Sequence, residues 1–162
     1  MAMHQYSFAN VNLQLEVFQP SAGATVVLDI EGFAAGENLI TCARRAPIAT
    51  TQFGAYGDMV VSMQRIKAGD LSFPVLMSAT ENQILQEYAN WFQGLAKEGS
   101  TKVIPIQAWL TDNMGNDKCT MRNGVILAMP SMVRGQTMNT VTWVISFEEM
   151  SFSREQSNFT VA

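Results

Sequence analysis

The sequence predicts a mainly β fold, a β-sandwich or β-barrel with one flanking α-helix. Three observations predict it. Apolar residues alternate with period two along most of the chain, as in strands with one buried face. A single segment, residues 80–98, breaks that rhythm with apolar residues at helical spacing. Gly, Pro, Asn and Asp punctuate the alternating runs as turn residues do. Strands, one helix, then strands again is the order of a β-sandwich or barrel that carries one helix.

Val11, Leu13, Leu15 and Val17 point one way and Asn12, Gln14 and Glu16 the other, which makes a half-buried strand. Residues 25–30 repeat the pattern, with Val26, Leu28 and Ile30 opposite Val27, Asp29 and Glu31. Shorter candidates span 38–44 and 59–66. In the second, Met59, Val61 and Met63 oppose Val60, Ser62 and Gln64, so both faces carry apolar surface for a neighbour to cover. Leu71, Phe73, Val75 and Met77 alternate around Pro74, and residues 102–110 contain Pro105. Proline cannot donate to a ladder, so both strands are expected at an edge or to end early, leaving the domain with open edges. Residues 120–129 and 137–147 follow. The latter is the clearest strand, with Asn139, Val141, Trp143, Ile145 and Phe147 on one face.

In the helix, Ile84, Leu85, Tyr88, Trp91, Phe92 and Leu95 form one stripe that packs on the sheet, and Asn82, Gln86, Glu87, Asn90 and Gln93 form a polar face. Ser78 with Glu81, or Thr80 with Gln83, offers a capping box, and Gly94 or Gly99 offers the closing turn. The longest stretch without periodicity, residues 44–58, reads as a functional loop. Phe53 and Tyr56 place apolar area on it, with Pro47 and Asp58 nearby, and these four residues form the candidate contact between subunits. Residues 112–117 read as a hairpin connection. The 162 residues make one domain, 1–162, with flexible termini expected at about 1–9 and 152–162.

Composition narrows the function. Hydrophobic residues make up 48% and charged residues only 15% of the chain, against roughly 25% charged in ordinary soluble domains. A charge-poor surface suits contact with other protein. The net charge is −4 and the Lys and Arg residues are scattered singly, so no clustered basic footprint for nucleic acid exists. Residues 1–20 do not read as a secretory signal and no apolar run reaches membrane length, which places the chain in a cytoplasm, away from any membrane.

Catalytic candidates are few. His4 is the only histidine, and Cys42 and Cys119 stand far apart, so no zinc spacing can be written. The two cysteines read as buried thiols of a reducing compartment, with a disulfide between them the lesser alternative. No GxSxG, GxxxxGK[ST] or GxGxxG motif occurs. Asp112, Asn113, Asn116 and Asp117 lack the closing acidic ligand of a calcium loop and read as a structural turn. Glu148 and Glu149 are adjacent, so they face opposite ways and cannot share a proton. No catalytic residue, metal ligand or cofactor is assigned, and the chain reads as no enzyme. Of the eleven methionines, Met59, Met63, Met114, Met121, Met129, Met132 and Met138 fall near predicted loops and strand ends, where their adaptable side chains suit subunit contacts.

Several short blocks occur in a telling order: Ile30-Glu31-Gly32-Phe33-Ala34-Ala35-Gly36-Glu37 and Ile40-Thr41-Cys42-Ala43-Arg44, then Gly54-Ala55-Tyr56-Gly57-Asp58, residues 71–83, Ile104-Pro105-Ile106, Asp112-Asn113-Met114-Gly115, and the strand around Trp143. In that order they resemble the tail tube proteins of contractile-tailed phages, the structural family of Mu-like phages. The type VI secretion tube protein is similar. The resemblance implies a tail-tube-like fold and a structural subunit in the virion tail. Its subunits would form six-fold rings that stack into a tube, and DNA would pass through the lumen without specific binding. It also implies tail sheath, baseplate and tape-measure proteins as partners, and assembly in the bacterial host cytoplasm. Residues 44–58 would then join stacked rings. An acidic lumen would keep DNA from sticking. Two rival readings are a small-ligand-binding β-barrel and an enzyme whose cofactor, such as a flavin, leaves no mark in the sequence.

Overall fold

Alternation becomes structure wherever one face of a strand has something to bury. The computed structural model describes residues 11–30, 40–99, 103–112, 117–133, 135–136 and 139–154. Its strands are β1 (Val11–Gln19), β2 (Ala24–Asp29), β3 (Thr41–Arg44), β4 (Ala49–Phe53), β5 (Met59–Met63) and β6 (Gly69–Leu76), then helix α1 (Thr80–Glu98), then β7 (Ile106–Asp112), β8 (Asp117–Ile126) and β9 (Thr140–Arg154). Seven strands form one sheet in the order β2-β1-β7-β8-β9-β6-β3, and β4 and β5 form a separate pair. Every pairing is antiparallel.

Leu13, Leu15 and Val17 of β1, Leu71, Phe73 and Val75 of β6, Ile106 and Ala108 of β7, and Val141, Trp143, Ile145 and Phe147 of β9 share one buried core. The helix packs on that face against β1 and β6, the second and sixth strands of the order. One helix can touch two strands so far apart only if the sheet curls around it. Phe18 meets Trp91 at 4.8 Å between ring centroids at one side of the helix. Tyr88 donates to the Ile104 carbonyl at 2.8 Å, and burial pushes its phenol up to about 12. At the centre, the Trp143 indole N–H donates to the Asn82 side-chain oxygen at 2.9 Å, and Asn82 donates in turn to the Met77 carbonyl. Both side chains are buried, so each satisfies a polar group that the core would otherwise strand.

Helix α1 spans the predicted residues, and Gly99, at φ 64°, closes it by donating its N–H to the Leu95 carbonyl. Its start differs from either capping box: Ala79 is the cap residue, with no side-chain cap hydrogen bond. Leu85, Tyr88 and Leu95 are buried and Ile84, Trp91 and Phe92 are half-buried. Asn82, expected on the polar face, is turned into the core by Trp143.

The proline strands are not the sheet edges. β7 lies between β1 and β8, with Pro105 just before its first residue, and β6 lies between β9 and β3. Among the described residues β3 pairs only with residues 69–72 of β6, so no described ladder bond on that side falls at Pro74. The edges are β2 and β3. They stay apart among the described residues, so the sheet curls without closing into a barrel.

The last two strands carry a further feature. The residues buried in β9 change from odd to even numbers between Phe147 and Met150, beside a bulge in β8 where Asn123 sits at φ 56°. Gly124 follows, and a Cβ there would lie 2.4 Å from the Phe147 ring. Of the termini expected to be flexible, residues 1–9 and 155–162 lie outside the described residues, whereas 152–154 belong to β9. His4, Asn113, Met114, Asn116 and Met138 also lie outside them.

Trp143→Ala is expected to cost about 3–5 kcal/mol in urea unfolding, as a fully buried aromatic truncation. Asn82→Ala, which removes little volume but orphans the indole N–H, is expected to cost about 1–3 kcal/mol.

Candidate functional site

The most unusual surface is a β-ribbon that leaves the body of the protein. β3 pairs with the start of β6, Arg45 N–H donates to the Ala68 carbonyl at 3.0 Å, Gln64 N–H donates to the Ile48 carbonyl at 2.8 Å, and β4 pairs with β5 from Ala49↔Met63 to Phe53↔Met59. Residues 41–72 are therefore one long hairpin. Its proximal half belongs to the main sheet and its distal half is an arm with only itself for a partner. Between the two halves the pairing register shifts by one residue. At the tip, Gly54 N–H donates to the Asp58 carbonyl and Gly57 takes φ 87°, a left-handed conformation that glycine adopts without strain.

Residues 44–58, read as a loop, thus contain a strand. Ala49-Thr50-Thr51-Gln52-Phe53 shows no alternation because neither of its faces is buried. The apolar surface on both sides of residues 59–63 is exposed too, with no cover among the described residues. Every residue from 50 to 67 is exposed. Ile48, Phe53, Tyr56, Met59, Val60, Val61, Met63 and Ile66 are all exposed large apolar side chains on this one arm, a concentration that marks an interaction surface more often than a solvated one. The four candidate contact residues all lie here: Pro47 at the base, Phe53 at the end of β4, and Tyr56 and Asp58 in the tip turn, with Tyr56 98% exposed.

Polar anchors fix the base of the arm. Arg45 grips Asp70 of β6 in a two-pronged ion pair, with nitrogen to oxygen distances of 2.7–3.0 Å, and the Ser146 hydroxyl of β9 donates to Asp70 at 2.6 Å. Arg44, pointing the opposite way, donates twice to the Met150 carbonyl, at 3.1 and 2.9 Å, and lies 5.6 Å from the Phe152 ring centroid. The arm is thus fastened on both faces of the sheet.

Other candidates fall in different places. Met59, Met63, Met129 and Met132 are exposed, whereas Met121 is wholly buried in the core. An open groove of about 320 Å³ runs between the start of the helix and residues 129–132, with Met77, Asn82, Met129 and Met132 on its walls. Glu148 is exposed and accepts from Asn123, and Glu149 accepts from Ser151. Cys42 and Cys119, read as separate thiols, face one another, which their distance along the chain concealed. Among the described residues no group of three or more His, Cys, Asp or Glu side chains is placed to hold a metal ion, and no helix is long and apolar enough to cross a membrane.

No family model matches this sequence, and no curated protein matches it either. Solved structures do share its fold. A chain of the anti-feeding prophage cap, which terminates that particle's tube, matches with a TM-score of 0.55 at 8% identity, over 96% of this chain and 95% of that one. A chain of the six-fold symmetrised anti-feeding prophage baseplate matches with 0.55 at 8% identity, over 97% and 100%. A chain of the sheath/tube terminator of the extracellular contractile injection system PVC, in its extended state, matches with 0.53 at 8% identity, over 94% and 99%. The fold, including its single helix, is therefore one found in chains of contractile injection particles, and it is matched over nearly its full length.

The ion pair at the base of the arm sets a pH dependence. The Arg45 hydrogen bond holds the Asp70 carboxyl below the usual carboxylate range, opposed by burial and helped to a lesser degree by Ser146. A carboxyl more acidic in the folded chain contributes stability above about pH 4 that is lost as pH falls through its lower folded value. Both side chains are substantially exposed, so Asp70→Asn should cost at most about 1 kcal/mol at pH 7. Its urea midpoint should converge with the parent's as pH falls below that lowered folded value.

Proposed function

We propose that this chain is a structural subunit of a contractile-tail-like injection particle, a tube or tube-end component that assembles with copies of itself into rings. The observation that carries the reading is the arm, an apolar β-ribbon exposed on both faces and tied rigidly to the body at its base. The free edges β2 and β3 add a second means of assembly, since pairing them between neighbours would extend the sheet around a ring and leave no edge bare. The shared fold supports the same class of role.

In this reading the rings are six-fold and stack, with the arm reaching the next ring through Phe53 and Tyr56. Sheath, baseplate and tape-measure proteins are the heterologous partners. The lumen carries DNA, as in a phage tail, or another cargo, as in a secretion tube, and the net negative charge favours passage over adhesion for DNA. A ligand-binding barrel is less well supported, because the sheet stays open and Trp143, Phe73 and Tyr88 fill the interior.

Negative-stain micrographs and sedimentation of the purified chain should show rings or tubes that grow with concentration. A monomer at every concentration and salt strength would overturn the proposal. Replacing Phe53 and Tyr56 together with serine should leave the melting curve within about 1 kcal/mol of the parent, because both side chains lie outside the core. The same double variant should lose long tubes, and tubes of parental length would exclude the arm as the stacking element.

A further inference from the structure

Edge strand β3 and strand β8 are three places apart in the sheet order, yet Cys42 on one lies within reach of Cys119 on the other. Three observations bring β3 to the side of β9 and of the core where Cys119 sits. Arg44 of β3 bonds to the Met150 carbonyl and stands over Phe152, and Phe152 is the register partner of Cys119. A Cβ on Gly69 would lie 2.7 Å from the Met150 sulfur and 2.9 Å from the Ala43 carbonyl, so β3, β6 and β9 converge with no room to spare. Cys42, two residues from Arg44 and on the same face of β3, packs against the core cluster that contains Cys119. Both cysteines are free thiols, Cys42 half-buried and Cys119 4% exposed.

We propose that Cys42 and Cys119 are a latent disulfide, a modification site at which a small-molecule disulfide oxidant crosslinks edge strand β3 to β8 within one chain. With oxidised glutathione as the oxidant, the exposure of Cys42 makes it the sulfur reached first. Its thiolate attacks one glutathione sulfur, the reagent's S–S bond breaks, and one glutathione leaves as a thiol with the proton that Cys42 gave up. The Cys119 sulfur then attacks that of Cys42, and the second glutathione leaves with the second proton. Two protein thiols lose two electrons in total, and one glutathione disulfide becomes two thiols.

In the reduced pair Cys119 is drawn toward the thiolate by the hydrogen bond from Cys42 and by the nearby Arg44 charge, against its burial. Once Cys42 carries glutathione it has no proton to donate, and the Arg44 charge is what still favours the Cys119 thiolate in the second step. Cys42 is pushed up by the same pairing and by its own burial, so the first step calls for mildly alkaline buffer. The consequence is mechanical: the crosslink would fasten the edge strand from which the arm projects. It would form in the isolated chain whatever assembly that chain joins.

The test incubates the full chain with oxidised glutathione at about pH 8.5, near the ordinary thiol range. Intact mass should fall by two hydrogens, a non-reduced peptide map should join the Cys42 and Cys119 peptides, and both thiols should vanish from a denatured thiol titration. The thermal midpoint should rise by on the order of 5–10 °C and return on adding dithiothreitol. Cys119→Ser should instead keep one glutathione on Cys42, and Cys42→Ser should leave Cys119 unmodified in the folded chain. Stable glutathione adducts on the parent, disulfides between chains, or two thiols that still titrate would each overturn the proposal.

Discussion

One helix has to cover the inner face of a seven-stranded sheet, and most of the architecture follows from that constraint. A flat sheet of seven strands would be far wider than the roughly 10 Å diameter of a helix. The sheet therefore curls until strands at its second and sixth positions both touch α1. The bulge at Asn123 and the close approaches at Gly69 and Gly124 fall on strands β6 and β8, where the chain bends or packs most tightly. The Trp143 to Asn82 hydrogen bond fixes the helix over the middle of the sheet. Tyr88 and the Phe18–Trp91 contact hold its flanks.

What the sequence revealed depended on burial. The helix was legible to the residue because its apolar stripe and Gly99 mark the same span. β1 and the first half of β9, to Phe147, were legible because one face of each is buried; the rest of β9, to Arg154, was not, since its buried positions change parity after Phe147. β4 was not, since period-two alternation records a buried face and β4 has none. Asn82 was misread for a related reason: an asparagine belongs on a polar face unless a buried donor claims it, and the donor stands 61 residues away. The proline rule failed through strand length, because it speaks of whole strands while, among the described residues, β3 pairs with only half of β6. The meeting of Cys42 with Cys119 depends on the curl, which no local pattern records.

The candidate assembly surface was legible in part. Phe53 and Tyr56 stood out as aromatic residues on a segment with no inner face, and the arm does carry them exposed. Hidden from the sequence was the continuity of β3 with β4 and of β5 with β6. That continuity makes the arm a lever fixed to the core and not a free loop. Arg44 and Arg45 explain how it is fixed: adjacent strand residues face opposite ways, so one holds the Met150 carbonyl and the other Asp70.

The low charge of the chain and the bareness of the arm are two expressions of one requirement. Charged groups at the centre of an interface must shed water, and an unpaired one costs more than its neighbours return. Between Ile48 and Ile66 the only charged residues are Asp58, at the tip, and Arg65, at the base. Four of the eight large apolar side chains lie between those two charges and three more precede Asp58 with no charge among them, so in the proposed assembly a partner could cover them without desolvating an ion. An arm designed to stay solvated would carry Lys or Glu along its strands, as exposed edges commonly do. This one carries Thr, Gln, Ser, Val and Met, uncharged residues that in the proposed assembly would cost far less to cover than an ion, provided the hydroxyls and amides find hydrogen-bond partners.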